Sequence, residues 1–211
     1  MTKIYLVRHG ESLANTLGIY QGQTYDTVLS PLGRKQARTL RDYFQDKNIG
    51  ALLASPLTRT QLTAKQVSLV TGLPIQTDPR LLETNHGQWE GLPKDEIQTR
   101  WGNLLIKWQT NPLGVVFPGG ESFADLQTRI LLWLSGMKET PVNTVIVTHD
   151  NFIRVVVAHL LSTPTTEFWR FPLDPAGVTT LLLDDGIITL EKINDNTHLT
   201  SCLTNLSLHA L

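Results

Sequence analysis

Cysteine is nearly absent: Cys202 is the single one in 211 residues, so no disulfide within the chain can staple the fold. Long apolar runs are missing too. The N-terminal run ends at Arg8, too short for the apolar core of a secretory leader. The most apolar stretch, residues 142–161, is broken by His149, Asp150, Asn151 and Arg154. It falls short of the roughly 18 apolar residues that a membrane helix needs. Nor does either sign of charge dominate, since 18 Lys+Arg stand against 19 Asp+Glu. That balance excludes broad electrostatic binding to nucleic acid or to an anionic membrane. A small anionic ligand stays open, because it needs only a local cluster. Repeats and low-complexity tracts are absent. The expected setting is a soluble, reducing cytoplasm.

With 41% hydrophobic and 18% charged residues, what remains is an ordinary globular composition. The length suits one domain over residues 1–211. Strand-like and helix-like segments alternate. Lys3–Val7 is a short apolar run leading into Arg8-His9-Gly10-Glu11. Ser30-Pro31 is an N-cap with proline at the first helical position, and Ala37, Leu40 and Phe44 follow at helical spacing. Ala51–Ala54 predicts a second buried strand, followed by a helix to about Val70 that Gly72 and Pro74 close. Residues 80–120 read as less regular, with Trp89, Trp101, Trp108 and a Pro/Gly loop. Ser122 with Asp125 resembles a capping box. Val142–Val147 predicts a strand and Asn151–Leu161 a helix. Asp185-Gly186 signals a hairpin between Val178–Leu183 and Ile187–Ile193. The alternation predicts an α/β three-layer sandwich: a mostly parallel central sheet with helices on both faces.

Such sheets bind ligands at the carboxyl ends of their strands. Here those ends carry Arg8-His9, the segment from Ser55 to Arg59, and His149-Asp150. One histidine at a strand end is commonplace. Two histidines and two arginines at one sheet edge suit a phosphoryl group. Arginine supplies permanently charged, bidentate donors, and a neutral imidazole nitrogen can attack phosphorus.

The order of motifs is specific. Arg8-His9-Gly10-Glu11-Ser12 is followed by Asn15, Gln21-Gly22, Asp26, Leu29-Ser30 and Gly33. Then come Ser55-Pro56-Leu57 with Arg59, Thr63 and Ala64, and Leu82-Glu83 with Gly87 and Trp89-Glu90-Gly91. Residues 118–122 (Pro-Gly-Gly-Glu-Ser) and Val147-Thr148-His149 complete it. Over about residues 3–160 this resembles the histidine phosphatase superfamily, the phosphoglycerate mutase-like proteins, in its phosphatase branch. The resemblance implies a metal-independent phosphomonoester hydrolase with no cofactor, acting on a small phosphorylated metabolite. His9 would be the nucleophile. Arg8, Arg59 and His149 would hold the phosphoryl oxygens, and Glu83 would be the proton donor. Asn15, Gln21 and Gly22 would add substrate contacts. Residues 92–120 would form a cap or specificity insertion, with Gln23–Thr27 a second specificity segment. The oligomeric state stays open, with a homodimer among the candidates.

Asp150 departs from the family's usual small residue after the second histidine. The N-cap of the following helix is its preferred reading. Substrate contact comes second, and the general-acid role that a His-Asp pair plays in related acid phosphatases third. His86, beside the Glu83 motif, reads first as a surface-loop residue and second as a substrate contact, His159 as structural, and His198 and His209 as part of a polar tail. The tryptophans read as core or lid packing, and Cys202 as unreactive.

Three other readings compete. A phosphoglycerate mutase would share the core residues, but the stretch after Gly91 offers only Lys94, Arg100 and Lys107 before the Pro/Gly loop. A silent phospho-ligand module would need a lesion in the key residues, and none is present. A His-Asp metal phosphohydrolase would need further ligands, and no His-x-His or His-Glu-x-x-His spacing exists. P-loop, dinucleotide-binding and nucleophile-elbow signatures are likewise missing.

Overall fold

The computed structural model describes residues 1–206; His209 lies outside them. The described strands are β1 (Thr2–Arg8), β2 (Ala51–Ala54), β3 (Gln76–Thr77), β4 (Thr144–Thr148), β5 (Val178–Asp184) and β6 (Ile187–Asp195). They form one sheet in the order β3-β2-β4-β1-β5-β6. β3, β2, β4 and β1 run parallel, while β5 and β6 join antiparallel. This is the three-layer, mostly parallel architecture that the sequence predicts.

Both faces of the sheet are covered, which explains why β1 reads as a continuous apolar run. Its pleat divides that run. Ile4 and Leu6 enter one core with Ile146 of β4, whereas Tyr5 and Val7 enter the other with Val145 and Val147. After the one-turn α1 (Leu13–Thr16), the second core is closed by α2 (Pro31–Phe44) and α3 (Thr58–Thr71), through Leu40, Phe44, Ala64 and Val67. The first is closed by α5 (Phe123–Gly136) and α6 (Asp150–Leu161).

Local signals act where the sequence places them. The Ser30 side chain accepts from the Gly33 N–H with Pro31 behind it, and Ser122 with Asp125 forms a reciprocal capping box. Gly72 ends α3 in the left-handed conformation. Asp185 and Gly186 both have positive φ, the requirement of a type I′ hairpin turn.

Three readings need correction. Residues 94–110 form a helix, α4 (Lys94–Thr110), where the sequence reads as irregular. The helix kinks at Trp101 (φ −139°, ψ 39°), so its apolar positions keep no single helical phase. The described part of the polar tail is not wholly solvated. Leu199 and Cys202 are buried in the second core, and the half-buried His198 is held 3.0 Å from the Ala176 carbonyl through Nε2. Finally, Asp150 is not an N-cap. His149 is the extended residue before α6, and Asp150 is the first helical one.

Candidate active site

Parallel register builds the site. Arg8 pairs with Thr148 across β1 and β4, so the next residues, His9 and His149, leave the sheet side by side. Their ring centroids lie 5.3 Å apart. Val147 pairs with Ala54 of β2, which brings Ser55 within 2.9 Å of His149 Nε2.

The turn after β1 is held against the helices behind it. The Gly10 N–H donates to Thr63 Oγ1 at 3.0 Å, and the Glu11 N–H donates to Gln36. Ser30 Oγ donates to the Glu11 carboxylate at 2.6 Å. A Cβ on Gly33 would lie 1.9 Å from the Glu11 carbonyl oxygen. Only a bare backbone lets α2 approach so closely.

His9 is held with a defined tautomer. Its Nδ1 lies 2.8 Å from the Gly10 carbonyl, which only accepts, so Nδ1 carries the proton. Nε2 keeps its lone pair and accepts from Arg59 Nε at 3.3 Å. Arg59 is fully buried and fixed from behind. Its Nη1 pairs with Asp26 at 2.7 Å and its Nη2 donates to the Gly22 carbonyl at 3.1 Å.

Asp150 is clasped by two arginines. It lies 3.3 Å from Arg8 Nη1 and 2.5 Å from Arg154 Nε. Arg154 also donates to the Phe168 and Phe171 carbonyls. These charge-assisted contacts hold the Asp150 carboxylate. Arg8 donates in addition to the Leu173 carbonyl at 2.5 Å.

Glu83 is buried opposite, accepting from the Thr84 N–H at 2.8 Å. Burial pushes its pKa up to about 7, against the pull of the Thr84 N–H and of Arg59. His149 moves the other way. Burial first, then Arg59 and His9, hold its pKa well below the usual histidine value, so its ring is neutral.

One cavity collects these groups. Arg8, His9, Arg59 and Glu83 line it with Asn15, Gln21 and Asp150. Asn15 presents its amide there while its Oδ1 takes the Ser12 N–H and hydroxyl. Gln21 Nε2 donates to Ser12 Oγ at 2.6 Å. His149 and Gly22 stand behind the lining, the first against His9 and the second against Arg59. A Cβ on Gly22 would come within 2.0 Å of a Glu90 carboxylate oxygen. That carboxylate gathers the N–H groups of Gln23, Thr24, Tyr25 and His86, and so fixes the loop carrying Gly22.

The cavity also uses residues outside the predicted site. His86 is 4% exposed, not a surface histidine, and its Nδ1 lies 2.8 Å from the Gln21 carbonyl. Tyr20, Asn151, Trp108 and Trp169 complete the wall with Ile19. Trp169 lies far along the chain, in the turn after α6, where nothing local signals a site.

Comparison with known proteins identifies the family of the chain. Residues 4–196 match the histidine phosphatase superfamily (branch 1). The chain is 32% identical over 201 residues to phosphoserine phosphatase 1 of Hydrogenobacter thermophilus, covering 94% of this chain and 95% of that protein. It is 33% identical over 169 residues to the "Probable phosphoglycerate mutase GpmB" of Yersinia pestis, covering 78% of this chain and 77% of that one. The crystal structure of the alpha-ribazole phosphatase from Shigella flexneri superposes with a TM-score of 0.83 at 26% identity, over 92% of this chain and 96% of that one. Two histidines leaving adjacent parallel strands, with two buried arginines and a carboxyl beside them, thus sit in a chain that belongs to the histidine phosphatase superfamily (branch 1).

Proposed function

We propose that the protein hydrolyses small phosphomonoesters without a metal, through a phosphohistidine on His9. The observation that carries this reading is the pairing of His9, its Nε2 against the Arg59 guanidinium at 3.3 Å, with a buried Glu83 whose pKa is raised to about 7. His9 Nε2 attacks phosphorus as the ester P–O bond breaks. Protonated Glu83 gives its proton to the leaving oxygen. Water then attacks phosphorus and gives a proton to the Glu83 carboxylate, while the N–P bond breaks, returning its electron pair to His9 Nε2 and releasing phosphate.

Arg8 and Arg59 are fixed before substrate arrives, so they stabilise the transferring group without reorganising. With the Ser55 hydroxyl donating to His149 Nε2, the His149 Nδ1–H is left to bind a phosphoryl oxygen; that nitrogen has no partner among the described residues. Asn15 and Gln21 contact the substrate from the Ser12 side. Residues 92–120 act as the cap, through Trp108 of α4 on the cavity wall.

The runner-up is a mutase that returns the phosphoryl group to its substrate. Incubation with 3-phosphoglycerate and other small esters separates the two. Free phosphate from wild type, and none from His9→Ala, is the expected result. Isomerisation without phosphate release overturns hydrolysis.

A further inference from the structure

Two cavities meet at Trp169. The catalytic cavity is small, about 30 Å³, and Ile19, Tyr20, Trp108 and Trp169 give its wall apolar bulk. A second cavity of about 420 Å³ has Phe171, Pro172 and Leu206 in its lining. Among the described residues Trp169 alone lines both.

Trp169 is held at its backbone and at its ring. Arg154 donates to the carbonyls of Phe168 at 3.2 Å and of Phe171 at 2.7 Å, and so grips the chain on either side of it. The indole N–H donates to the Trp108 carbonyl at 2.8 Å. The rings of Trp108 and Phe168 meet the indole edge to face, with centroids 5.2 and 5.0 Å away. The Arg154 guanidinium lies 5.0 Å from the indole centroid. Arg154 is in turn pinned to Asp150, on the wall of the catalytic cavity. Turning the indole aside breaks its hydrogen bond, its ring contacts and its cation–π contact together. It is therefore a fixed wall and not a side chain that yields to a larger ligand.

A fixed wall acts on shape. On the reading above, His9, Arg8 and Arg59 take the phosphoryl end of the ester, so the room left over limits the alcohol portion. We propose that Trp169 is the partition that restricts the substrate to esters of small alcohols, and that removing its indole joins the two cavities and admits bulkier ones. This rests on the site being that of a phosphomonoester hydrolase. An oversized group pressed on a rigid wall loses about tenfold or more in kcat/KM.

Phenyl phosphate and 2-naphthyl phosphate are the probes, because they differ by one fused ring and their leaving groups are of similar acidity. The ratio of their kcat/KM values is read for wild type, Trp169→Ala and Trp169→Leu. Wild type is expected to favour phenyl phosphate about tenfold or more. Trp169→Ala should bring the two within about threefold of each other or reverse them. Trp169→Leu should lower the ratio about threefold, and serves if the alanine variant does not fold. Loss of activity on both esters with the ratio unmoved marks a merely structural role and overturns the proposal. So does a wild-type ratio near one. The Kd values of the two esters for the His9→Ala protein, with and without Trp169→Ala, read the same preference by calorimetry without turnover. Phosphate release with no size preference in either measurement overturns the partition and leaves the hydrolase standing. A binding preference that Trp169→Ala removes, with no release from any small ester by wild type, overturns the hydrolase and leaves the partition.

Discussion

Arg59 Nε lies 3.3 Å from His9 Nε2, so the proposed nucleophile and the proposed phosphoryl-binding cation share one hydrogen bond. The bond protects the lone pair from a proton and keeps the guanidinium aimed. Arg59 can hold this pose because Asp26 and the Gly22 carbonyl fix its far end.

His9→Ala therefore removes the bond-forming atom and leaves the pocket intact. Phosphate release is expected to fall by about three orders of magnitude or more. Acid-quenched wild type exposed to labelled substrate should carry acid-labile label; the variant should carry none.

Arg59→Lys should not rescue function. A lysine ammonium cannot hold Asp26, the Gly22 carbonyl and a phosphoryl oxygen in one plane. A loss of about 10²–10³ in kcat/KM is expected, and steady-state kinetics on one good ester checks it.

As the proposed proton donor, Glu83 should set the alkaline limb of the pH profile. Its pKa is raised to about 7, so the carboxyl is protonated below that value and charged above it. The proton donor is therefore present at lower pH and lost as pH rises. The value of kcat/KM, which reports phosphohistidine formation, should fall about tenfold per pH unit well above 7. Glu83→Gln should lower it by about 10²–10⁴ at pH 6 and abolish the limb.

Asp150→Ala strips a carboxylate from between Arg8 and Arg154, both buried. Leaving such charges unpaired costs about 3–5 kcal/mol. Urea unfolding should show that loss, and Asp150→Asn a smaller one. An N-cap role would predict only about 1 kcal/mol for Asp150→Ala.

Gly33→Ala places a methyl group 1.9 Å from the Glu11 carbonyl oxygen. Backbone must move, and the turn after His9 moves with it. A loss of about 1–3 kcal/mol is expected, with a drop in kcat, measured by thermal unfolding and turnover.

Much of this site was legible because strand ends are legible. Apolar runs that stop at Arg8-His9 and at Thr148-His149 mark the carboxyl edge of a parallel sheet. Motif order supplied Arg59 and Glu83. Capping chemistry at Ser30 and Ser122 is local, so it survived folding unchanged. Asp150 misled because a helix start one residue earlier converts a cap into an ion-pair residue. That shift depends on Arg154, four residues on, whose partner choice no local pattern specifies. His86 misled because its loop is polar in sequence but packed among Tyr20, Trp108 and Phe117 in space.

By itself the sequence determined the layered α/β fold, the sheet edge that carries the chemistry and the residues able to perform it. The fold and the sheet edge follow from periodicity and turn residues, which are properties of neighbours along the chain; the candidate residues follow from the resemblance to a family. The tertiary structure alone decided that His9 Nδ1 faces the Gly10 carbonyl, that burial raises Glu83, and that His86 is enclosed among Tyr20, Trp108 and Phe117. Proton placement and desolvation depend on groups that meet only when distant segments pack together.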